Sequence, residues 1–465
     1  MASTINAING SYRDPMGHVY RVGHHIYRTI LPEAKDIYEW GRDQDLYRAA
    51  QKHKFLIPTE ELATNDVPDT LQSASYVLSH QLLQYVSWPY EWSFFQLQDA
   101  ALFHLDFQLF LLDKDAVLVD ASAYNIQFIG KTPIFIDLLS IRRYKDREYW
   151  TAYRQFCESF LNPLLLRSTK GISYNSWYRG ALEGISAKDL NAVLSWMDKL
   201  SLNMFSHVTL QSKFEARVLQ DPARSTKQAQ QAKGISRDAY KHILRQMRQW
   251  IASLKPRGYK KTVWGEYATH NTYLLQETQQ KEEIVKTFCE THKPALLYDL
   301  GCNSGHYSRV ALDSGAEYVV GFDFDHQAIE TAYSQKANRN NFLPLWFDAS
   351  NPSPNQGWMQ QEREGFLERA KPNALIALAF EHHLAIAKNV PLNQVVDWFL
   401  QIAPQGLIEF VPKEDETVQQ LLALREDIFK EYSYENFKAL IGRQATIVNC
   451  TQITASGRVL IEYKR

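Results

Sequence analysis

The sequence predicts an α/β fold with at least two domains and a largely parallel sheet in its C-terminal part. The chain has 465 residues, more than one ordinary domain of about 100–200 residues holds. From residue 296 onward, short apolar segments alternate with longer amphipathic ones, the pattern of a parallel sheet covered by helices. The preceding part differs, since it begins with β-rich sequence and continues with long aromatic segments that suit helices.

Five apolar segments predict the parallel strands. Each is separated from the next by enough sequence for the helical crossover that parallel pairing requires. They are LLYDL ending at Leu300, YVVGFDF ending at Phe324, PLWF ending at Phe347, ALIALAF ending at Phe380 and GLIEFV ending at Val411. Two further segments, TIVNCTQI and RVLIEYK, are separated only by TASG, which permits a hairpin and excludes a crossover. We therefore expect the sheet to end in an antiparallel pair.

The charges and the cysteines exclude several classes of protein. Lys and Arg number 51 against 52 Asp and Glu, so the net charge of −1 gives no overall positive field for nucleic acid. The four cysteines form no CxxC pair, which disfavours disulfides and a zinc site. The chain shows no signal peptide and no run of 18 apolar residues. We expect a cytoplasmic protein without metal ligands, membrane insertion or a nucleic-acid partner.

A glycine loop, YDLGCNSGHY at 298–307, follows the first predicted strand and opens a helix. Asp299, Gly301 and Gly305 form a D-x-G-x-x-x-G pattern. Glycines let such a loop turn tightly and let a ligand approach the backbone, while the helix that follows directs N–H groups at the ligand. Asn303 stands where dinucleotide-binding enzymes have their second glycine, which disfavours a nicotinamide cofactor.

Two aspartates follow the next two strands. Asp323 lies 18 residues after Gly305, a distance and residue type that suit hydrogen bonds from both ribose hydroxyls. Asp348 is placed to accept from an adenine amino group. Three strand ends would thus converge on one nucleoside, where open α/β sheets bind ligands. The alternative interpretation is that these residues are turn glycines and helix-capping aspartates.

Together these motifs resemble those of class I S-adenosylmethionine-dependent methyltransferases, over residues 296–465. A narrower resemblance, to the bacterial family of NoeA-like nodulation proteins, rests on PYEWSF, DASAYNIQF, AFEHHLAIAKNVPL and EFVPKED and spans both parts of the chain. It implies a Rossmann-like, seven-stranded sheet with an antiparallel last strand, and transfer of the methyl group of S-adenosylmethionine. It assigns cofactor contacts to Asp299, Gly301, Cys302, Asn303, Gly305, Asp323, Phe324, Asp348 and Ala349. Asp299, Gly301 and Gly305 would hold the methionine part.

The segment WGEYATHNTY at 264–273 matches the place where similar enzymes fold an aromatic lid over the cofactor. Tyr267 and Tyr273 are the predicted lid residues, because an aromatic ring there excludes water and can face the cationic sulfonium. Aromatic packing of a connector helix is an equally good interpretation of the same residues.

Glu381, His382 and His383 follow the fourth strand and are the candidate catalytic residues. Methyl transfer to a hydroxyl or amine requires alignment of the acceptor and removal of a proton, and a histidine that titrates near neutrality suits that task. Histidines that open a helix are also common as hydrogen-bonded scaffolding. After the fifth strand, Lys413, Glu414 and Asp415 either line the acceptor pocket or form a charged turn with Asp415 capping a helix; we favour the cap.

In the N-terminal part, Asp120, Asn125 and Asp137 are spaced by 5 and 12 residues. This resembles the catalytic loop and metal-binding aspartate of protein and aminoglycoside kinases. No glycine-rich phosphate loop and no Val-Ala-x-Lys strand accompanies them, so the resemblance implies a kinase-like, inactive domain that binds or presents the acceptor. Three polar residues in a hairpin are the alternative.

Three regions follow from these observations. We expect a kinase-like α+β domain over 1–220, a helical connector and cofactor lid over 221–290, and a methyltransferase domain over 291–465. The polar segment 220–234 is predicted to be an exposed loop. The expected activity is methyl transfer to a small-molecule or glycan hydroxyl, with a non-catalytic cofactor-binding scaffold as the alternative and a bifunctional kinase–methyltransferase third. The sequence identifies neither the acceptor nor the oligomeric state.

Overall fold

The computed structural model describes residues 6–213, 234–258, 275–335, 340–423 and 425–465. We call residues 6–258 the N-terminal half and residues 275–465 the C-terminal half. Most of the predicted loop at 220–234 lies outside the described residues. Among the helices of the described ranges, none combines the length and apolar character needed to cross a membrane.

The N-terminal half begins with a five-stranded antiparallel sheet in the order β1-β2-β3-β5-β4. Its strands are β1 Asn6–Ala7, β2 Val19–Val22, β3 His25–Ile30, β4 Thr59–Glu61 and β5 Tyr76–His80. A two-residue turn joins β2 to β3 and contains Gly23, whose φ of +60° suits such a hairpin. Helices α1 Lys35–Asp43 and α2 Leu46–Lys52 lie between β3 and β4 in the chain.

The central element of the N-terminal half is the helix α3, Phe94–Leu112. Ser93 and Gln96 form a capping box at its start, which satisfies the first free backbone N–H groups. Buried residues occur on every side of α3, and two small antiparallel pairs follow it, β6 with β9 and β7 with β8. These strands are β6 Ala116–Leu118, β7 Ile126–Ile129, β8 Thr132–Phe135 and β9 Ile141–Arg143.

Helices complete the N-terminal half. A continuous helical segment from Tyr153 to Lys170 contains two π-helical stretches, Cys157–Leu161 and Leu166–Lys170. The α-helices are α4 Tyr153–Phe156, α5 Asn162–Leu165, α6 Asn175–Gly180, α7 Ala187–Val193, α8 Leu202–Met204 and α9 Arg237–Ser253. Helix α9 packs against α3, where Gln98 Nε2 donates to the Ile251 carbonyl at 2.7 Å.

The C-terminal half is built on one seven-stranded sheet in the order β12-β11-β10-β13-β14-β16-β15. Its strands are β10 Leu297–Leu300, β11 Val319–Asp323, β12 Phe342–Trp346, β13 Ala374–Ala377, β14 Gln405–Phe410, β15 Thr446–Gln452 and β16 Val459–Lys464. The first five are parallel, and β16 runs antiparallel between β14 and β15. The predicted α/β class and the antiparallel end of the sheet are confirmed.

The fourth strand is shorter than predicted. It ends at Ala377, whereas the apolar segment continues to Phe380. Ala379 has a φ of +51°, a left-handed conformation that no extended strand contains. The chain therefore turns away from the sheet two residues before the candidate catalytic residues begin.

Helices surround this sheet, and α10 and α11 cover one of its faces. They are α10 Leu275–His292, α11 His306–Asp313, α12 His326–Ser334, α13 Phe366–Arg369, α14 Glu381–Ala385, α15 Leu392–Ile402, α16 Glu416–Leu422 and α17 Tyr434–Gly442. Val285 and Phe288 of α10 share a core with Leu297 and Val319 of the sheet.

Part of the opposite face is covered by the N-terminal half. Tyr85 meets Tyr298 and Phe322 edge to face, with ring centroids 5.9 and 6.0 Å apart. The connection from β12 to β13, residues 347–373, contains only the one-turn helix α13 and a short 3-10 turn. The N-terminal half thus supplies covering that a longer crossover helix would provide.

Polar contacts fix the two halves together. The Arg369 guanidinium donates to both oxygens of Glu91 at 2.5 and 2.6 Å, and both side chains are almost fully buried. The Glu330 carboxylate of α12 accepts from the backbone N–H of Phe94 at 2.6 Å, at the first turn of α3. A carboxylate at this place complements the positive end of the helix.

Candidate cofactor site and active site

The ends of the first three parallel strands meet at one edge of the sheet. Leu300 of β10 pairs in register with Phe322 of β11, and Asp323 pairs with Trp346 of β12. The glycine loop, Asp323 and the residues after β12 therefore follow neighbouring strand ends, as predicted.

The glycine loop needs glycine at two positions. Gly301 and Gly305 have φ values of +76° and +81°, a backbone conformation that is strained for residues other than glycine. A Cβ on Gly301 would lie 2.8 Å from Cδ2 of Phe380, and one on Gly305 would lie 2.7 Å from Cε1 of Phe342. The loop is thus packed against the sheet on one side, and Gly305 immediately precedes α11.

Asp299 lies beneath the loop within β10 and is 2% exposed. Ser308 Oγ of α11 donates to its Oδ2 at 2.5 Å, and burial raises the pKa of Asp299 to about 7. This carboxylate therefore ties the strand to the helix that follows the loop. A contact between Asp299 and the methionine part of a cofactor stays a prediction.

Asp323 is linked directly to the glycine loop. Its Oδ2 accepts from the backbone N–H of Asn303 at 2.8 Å, and its Oδ1 accepts from the N–H of Asp325 at 2.9 Å. Burial raises the pKa of Asp323 to about 6. Each carboxylate oxygen has a second lone pair, so the side chain can still accept two hydroxyl donors.

Cys302 contributes no side chain to the open edge. It is 5% exposed, and a Cβ on Gly321 would lie 2.9 Å from its sulfur. Its backbone N–H donates to the Phe322 carbonyl at 3.0 Å. Any role in cofactor binding is therefore confined to the shape that Cys302 gives the loop.

An exposed aromatic ring stands beside Asp323. Phe324 is 65% exposed, and its carbonyl accepts from Trp346 Nε1 at 2.9 Å. The Trp346 ring stacks on His326 with centroids 5.2 Å apart and an interplanar angle of 2°. Sequence reasoning missed Trp346 and His326, although an aromatic residue at the end of PLWF was a visible signal. An exposed ring next to a ribose-type acceptor offers a stacking face for a flat base.

One carboxylate oxygen of Asp348 stabilises a turn. Its Oδ1 accepts from the backbone N–H and the hydroxyl of Ser350 at 2.9 and 2.6 Å. The N-terminal half reaches this end of the site, since Arg179 Nη1 donates to the Asn351 carbonyl at 2.7 Å. Tyr90 and Arg179 border the same shallow depression as Asp348. Ala349, the other residue predicted here, packs against the core.

The candidate catalytic residues have different surroundings. Glu381 is fully buried, and its Oε1 accepts from the backbone N–H of Val411 at 2.7 Å and from the Tyr432 hydroxyl at 2.9 Å. These bonds join the start of α14 to the end of β14, so Glu381 positions the two strand ends. The other carboxylate oxygen, Oε2, is buried and has no hydrogen-bond partner within the described residues.

The two histidines lie side by side with ring centroids 4.1 Å apart. His382 is 1% exposed, and neither of its ring nitrogens has a hydrogen-bond partner within the described residues. His383 is only partly buried. Burial and the neighbouring His382 lower the pKa of His383 to about 4, so its ring is neutral at pH 7 and is a weaker base than an exposed histidine.

Asp415 caps a helix, as the favoured interpretation of the sequence predicted. Its Oδ1 accepts from the backbone N–H of Thr417 at 3.0 Å in the first turn of α16. Arg458 donates to both of its oxygens at 2.7 Å, and hydrogen bonds from that guanidinium and from Thr417 hold the pKa of Asp415 well below its usual range. Lys413 pairs with Asp427 at 2.7 Å.

The two predicted lid residues remain without a structural description. Tyr267 and Tyr273 lie outside the described residues, so the aromatic lid stays a prediction. In the described ranges, no group of three His, Cys, Asp or Glu side chains is arranged to hold a metal ion.

The N-terminal motif is brought together in part. Asn125 Nδ2 donates to Asp120 Oδ2 at 3.0 Å, just before β7. Asp137 lies after β8, where Arg28 Nη1 of β3 donates to its carboxylate at 2.6 Å. The aspartate that the kinase resemblance assigns to a metal ion is thus paired with a guanidinium of the antiparallel sheet.

Comparison with known proteins gives one relative of nearly the same length. The chain is 44% identical to nodulation protein NoeA of Rhizobium meliloti (strain 1021) over 460 residues, which cover 98% of this chain and 96% of that protein. No family model matches the chain.

Among solved structures, the N-methyltransferase NodS of Bradyrhizobium japonicum WM9 in complex with S-adenosyl-L-homocysteine is 9% identical, with a TM-score of 0.32. That match covers 43% of this chain and 95% of NodS. Magnesium protoporphyrin IX methyltransferase of Synechocystis PCC 6803 with bound SAM is 16% identical, with a TM-score of 0.28 over 45% of this chain and 86% of that enzyme.

Proposed function

The chain belongs to the family of the nodulation protein NoeA, and we propose that this member is an S-adenosylmethionine-dependent methyltransferase. One observation carries the proposal: a carboxylate tied to a glycine loop stands beside an exposed aromatic ring where parallel strands end. Asp323, Asn303 and Phe324 form this arrangement. The antiparallel β16 between β14 and β15 supports the same conclusion, because the resemblance implies an antiparallel last strand.

The residues present suit the proposed cofactor. Glycine at positions 301 and 305 lets the loop pack against Phe380 and Phe342, which holds its backbone at the strand ends where the methionine part would lie. The Asp323 carboxylate would accept the ribose hydroxyls, and the Phe324 ring would stack on the adenine. The remaining oxygen of Asp348 would accept from the adenine amino group. The bound cofactor supplies an electrophilic methyl group on a sulfonium.

The proton of the acceptor would be taken by His383. His383 is less buried than His382, so it is the better placed of the two histidines to meet a substrate. Glu381 would act as a positioning residue through Val411 and Tyr432, and His382 as packing behind His383. The proposed acceptor is a small-molecule or glycan hydroxyl.

The N-terminal half would bind or present this acceptor without kinase activity. The support is the Arg28–Asp137 contact, which takes up the carboxylate that a kinase needs for its metal ion. Tyr90 and Arg179 border the adenine end of the site from this half. Mg²⁺-dependent ATP turnover that Asp137→Ala abolishes would contradict the inactive assignment.

Calorimetry with S-adenosylhomocysteine tests the proposed site. The full chain should bind it, and Asp323→Ala should lower the affinity by about tenfold or more, since a lost charged acceptor is worth about 1.5–3 kcal/mol. Asp36→Ala, on the exposed side of α1, is the matched control and should bind normally. No heat with the full chain would contradict the proposal.

Methyl transfer is tested separately from binding. The full chain is incubated with S-adenosylmethionine carrying a labelled methyl group and with an extract of host cells, and the labelled product is identified. A labelled product that Asp323→Ala loses supports the enzyme. Cofactor binding without any labelled product would favour the alternative, a non-catalytic scaffold that binds the cofactor.

A further inference from the structure

A cluster of large apolar side chains stands out from the N-terminal half between α7 and α8. Trp196, Met197, Leu200 and Leu202 are 72, 62, 73 and 79% exposed, and we call these four residues the apolar ridge. Exposed apolar residues continue on both sides of the ridge in the chain. They are Val193, Phe205 and Leu210, which are 40, 46 and 51% exposed. A concentration of this size on a protein surface marks an interaction site.

The backbone of the ridge is held in place. Leu194 and Met204, which flank it, are each only 5% exposed and belong to the main core. The Asp198 carboxylate accepts from the backbone N–H and the hydroxyl of Ser195 at 2.8 and 2.6 Å, and it pairs with Lys170. The exposed side chains are therefore presented by a packed segment.

The degree of exposure decides what kind of surface the ridge fits. Side chains that are about three-quarters exposed project from the surface of the described residues. Tryptophan, methionine and leucine side chains that project together are the composition that enters the boundary between lipid headgroups and acyl chains. A compact partner would need a matching cleft, whereas a lipid layer adapts to the ridge.

The charges around the ridge complement an anionic lipid surface. Residues 188–213 contain three lysines against two aspartates, and Asp198 is already paired with Lys170, so the segment has a net positive charge. The three lysines are Lys188, Lys199 and Lys213. Lys199 lies within the ridge sequence between Met197 and Leu200, where its long side chain can reach the headgroups while its neighbours enter the acyl region.

We propose that the apolar ridge docks this protein on the surface of a lipid bilayer that contains anionic lipids. The four apolar side chains would enter the headgroup–acyl boundary, and the lysines would lie at the headgroups. This binding is peripheral and does not depend on the proposed methyl transfer.

Sedimentation with vesicles tests the proposal on the full chain. Vesicles of phosphatidylcholine with phosphatidylglycerol should pellet the wild type, and pure phosphatidylcholine should pellet less of it. The triple variant Trp196→Ser, Leu200→Ser, Leu202→Ser should lower the bound fraction by about tenfold, because each lost apolar side chain weakens insertion. The control is the triple variant Trp358→Ser, Ile428→Ser, Val448→Ser, whose residues are 64, 58 and 54% exposed elsewhere, and it should pellet like the wild type.

Three results would overturn the proposal. The wild type fails to pellet with the anionic vesicles, or the ridge variant pellets as well as the wild type. The third is a wild type that light scattering shows to be a dimer and a ridge variant that is a monomer, which would make a second copy of the chain the occupant. Thermal melting checks that each variant is folded. If the triple variant melts early, Leu200→Ser and Leu202→Ser alone replace it, and each should lower binding.

Discussion

Glu91 and Arg369 form a two-point ion pair that is buried between the two halves of the protein, 278 residues apart in sequence. Ser353 Oγ accepts a further hydrogen bond from the same guanidinium at 3.0 Å. The pair joins the segment before α3 to the short helix α13, at the place where the N-terminal half covers the sheet.

Breaking this pair should destabilise both halves together. Arg369→Met leaves the Glu91 carboxylate buried without a counter-charge, and the loss of one partner of such a pair costs about 3–5 kcal/mol. We expect a clearly lower thermal midpoint in calorimetry. Arg48→Met removes an exposed pair with Asp45 and should melt like the wild type. An unchanged midpoint for Arg369→Met would show that the contact contributes little.

Two substitutions of Tyr85 separate the contribution of its ring to stability from the contribution of its hydroxyl. The Tyr85 hydroxyl is buried and has no hydrogen-bond partner among the described residues, so Tyr85→Phe should leave the stability equal or higher. Tyr85→Ala removes the ring that meets Tyr298 and Phe322, and loss of a large buried aromatic costs about 3–5 kcal/mol. Thermal unfolding of both variants checks this. If Tyr85→Ala is as stable as Tyr85→Phe, the packing of Tyr85 on the sheet does not stabilise the protein.

The affinity for S-adenosylhomocysteine should depend on pH through Asp323. Its pKa is raised to about 6 by burial, and the ionised carboxylate is the form that accepts both ribose hydroxyls. Affinity should therefore be highest above about pH 7 and fall by up to about tenfold per pH unit below the pKa. Calorimetry across this range measures it. Asp323→Asn should bind more weakly and lose this dependence. If that variant keeps the pH profile of the wild type, a group other than Asp323 causes the dependence.

Gly301→Ala should lower the affinity for S-adenosylhomocysteine without unfolding the chain. The new Cβ meets the Phe380 ring at 2.8 Å in a conformation with φ of +76°, so the loop must shift at the proposed binding site. A Cβ on Gly442, at the end of α17, would meet Ile447 Cδ1 at 3.8 Å and no nearer atom of the described residues outside its own helix, so Gly442→Ala serves as the control. Calorimetry of both variants should separate them by about tenfold in affinity. Equal affinities of the two variants would contradict a role of the glycine loop in binding S-adenosylhomocysteine.

His383→Ala should reduce labelling of the acceptor by about 10²–10⁴-fold, the usual contribution of a general base. Binding of S-adenosylhomocysteine should not change, because His383 is proposed to face the acceptor. Since its pKa is lowered to about 4, the rate in the wild type should not fall through this histidine between about pH 5 and pH 8. Full labelling by His383→Ala would exclude it as the base.

Local patterns in the sequence predicted the features that depend on neighbouring residues. Apolar segments of strand length predicted the five parallel strands, and the short TASG connection predicted the antiparallel end. Asp415 was expected to cap a helix because it stands just before one, and it does. The strand that was predicted too long contains Ala379, whose positive φ no residue propensity would suggest.

Contacts between distant segments were beyond local patterns. Glu381 looked like a catalytic neighbour of two histidines, yet its partners are Val411 and Tyr432, which only the folded sheet brings to it. The Glu330 carboxylate at the start of α3 and the Arg28 contact to Asp137 are of the same kind. Such pairs are set by tertiary packing, so they need coordinates or a set of related sequences.

The capping of α3 by Glu330 has a consequence for synthesis on the ribosome. Phe94 and the carboxylate that receives its N–H are 236 residues apart, so at about 5–20 residues per second the first turn of α3 waits about 10–50 s for its partner. During that interval Tyr85 has no sheet to lie on either. The nascent chain therefore carries an unfinished apolar surface through about half of its translation, the period in which a holding chaperone would have most to protect.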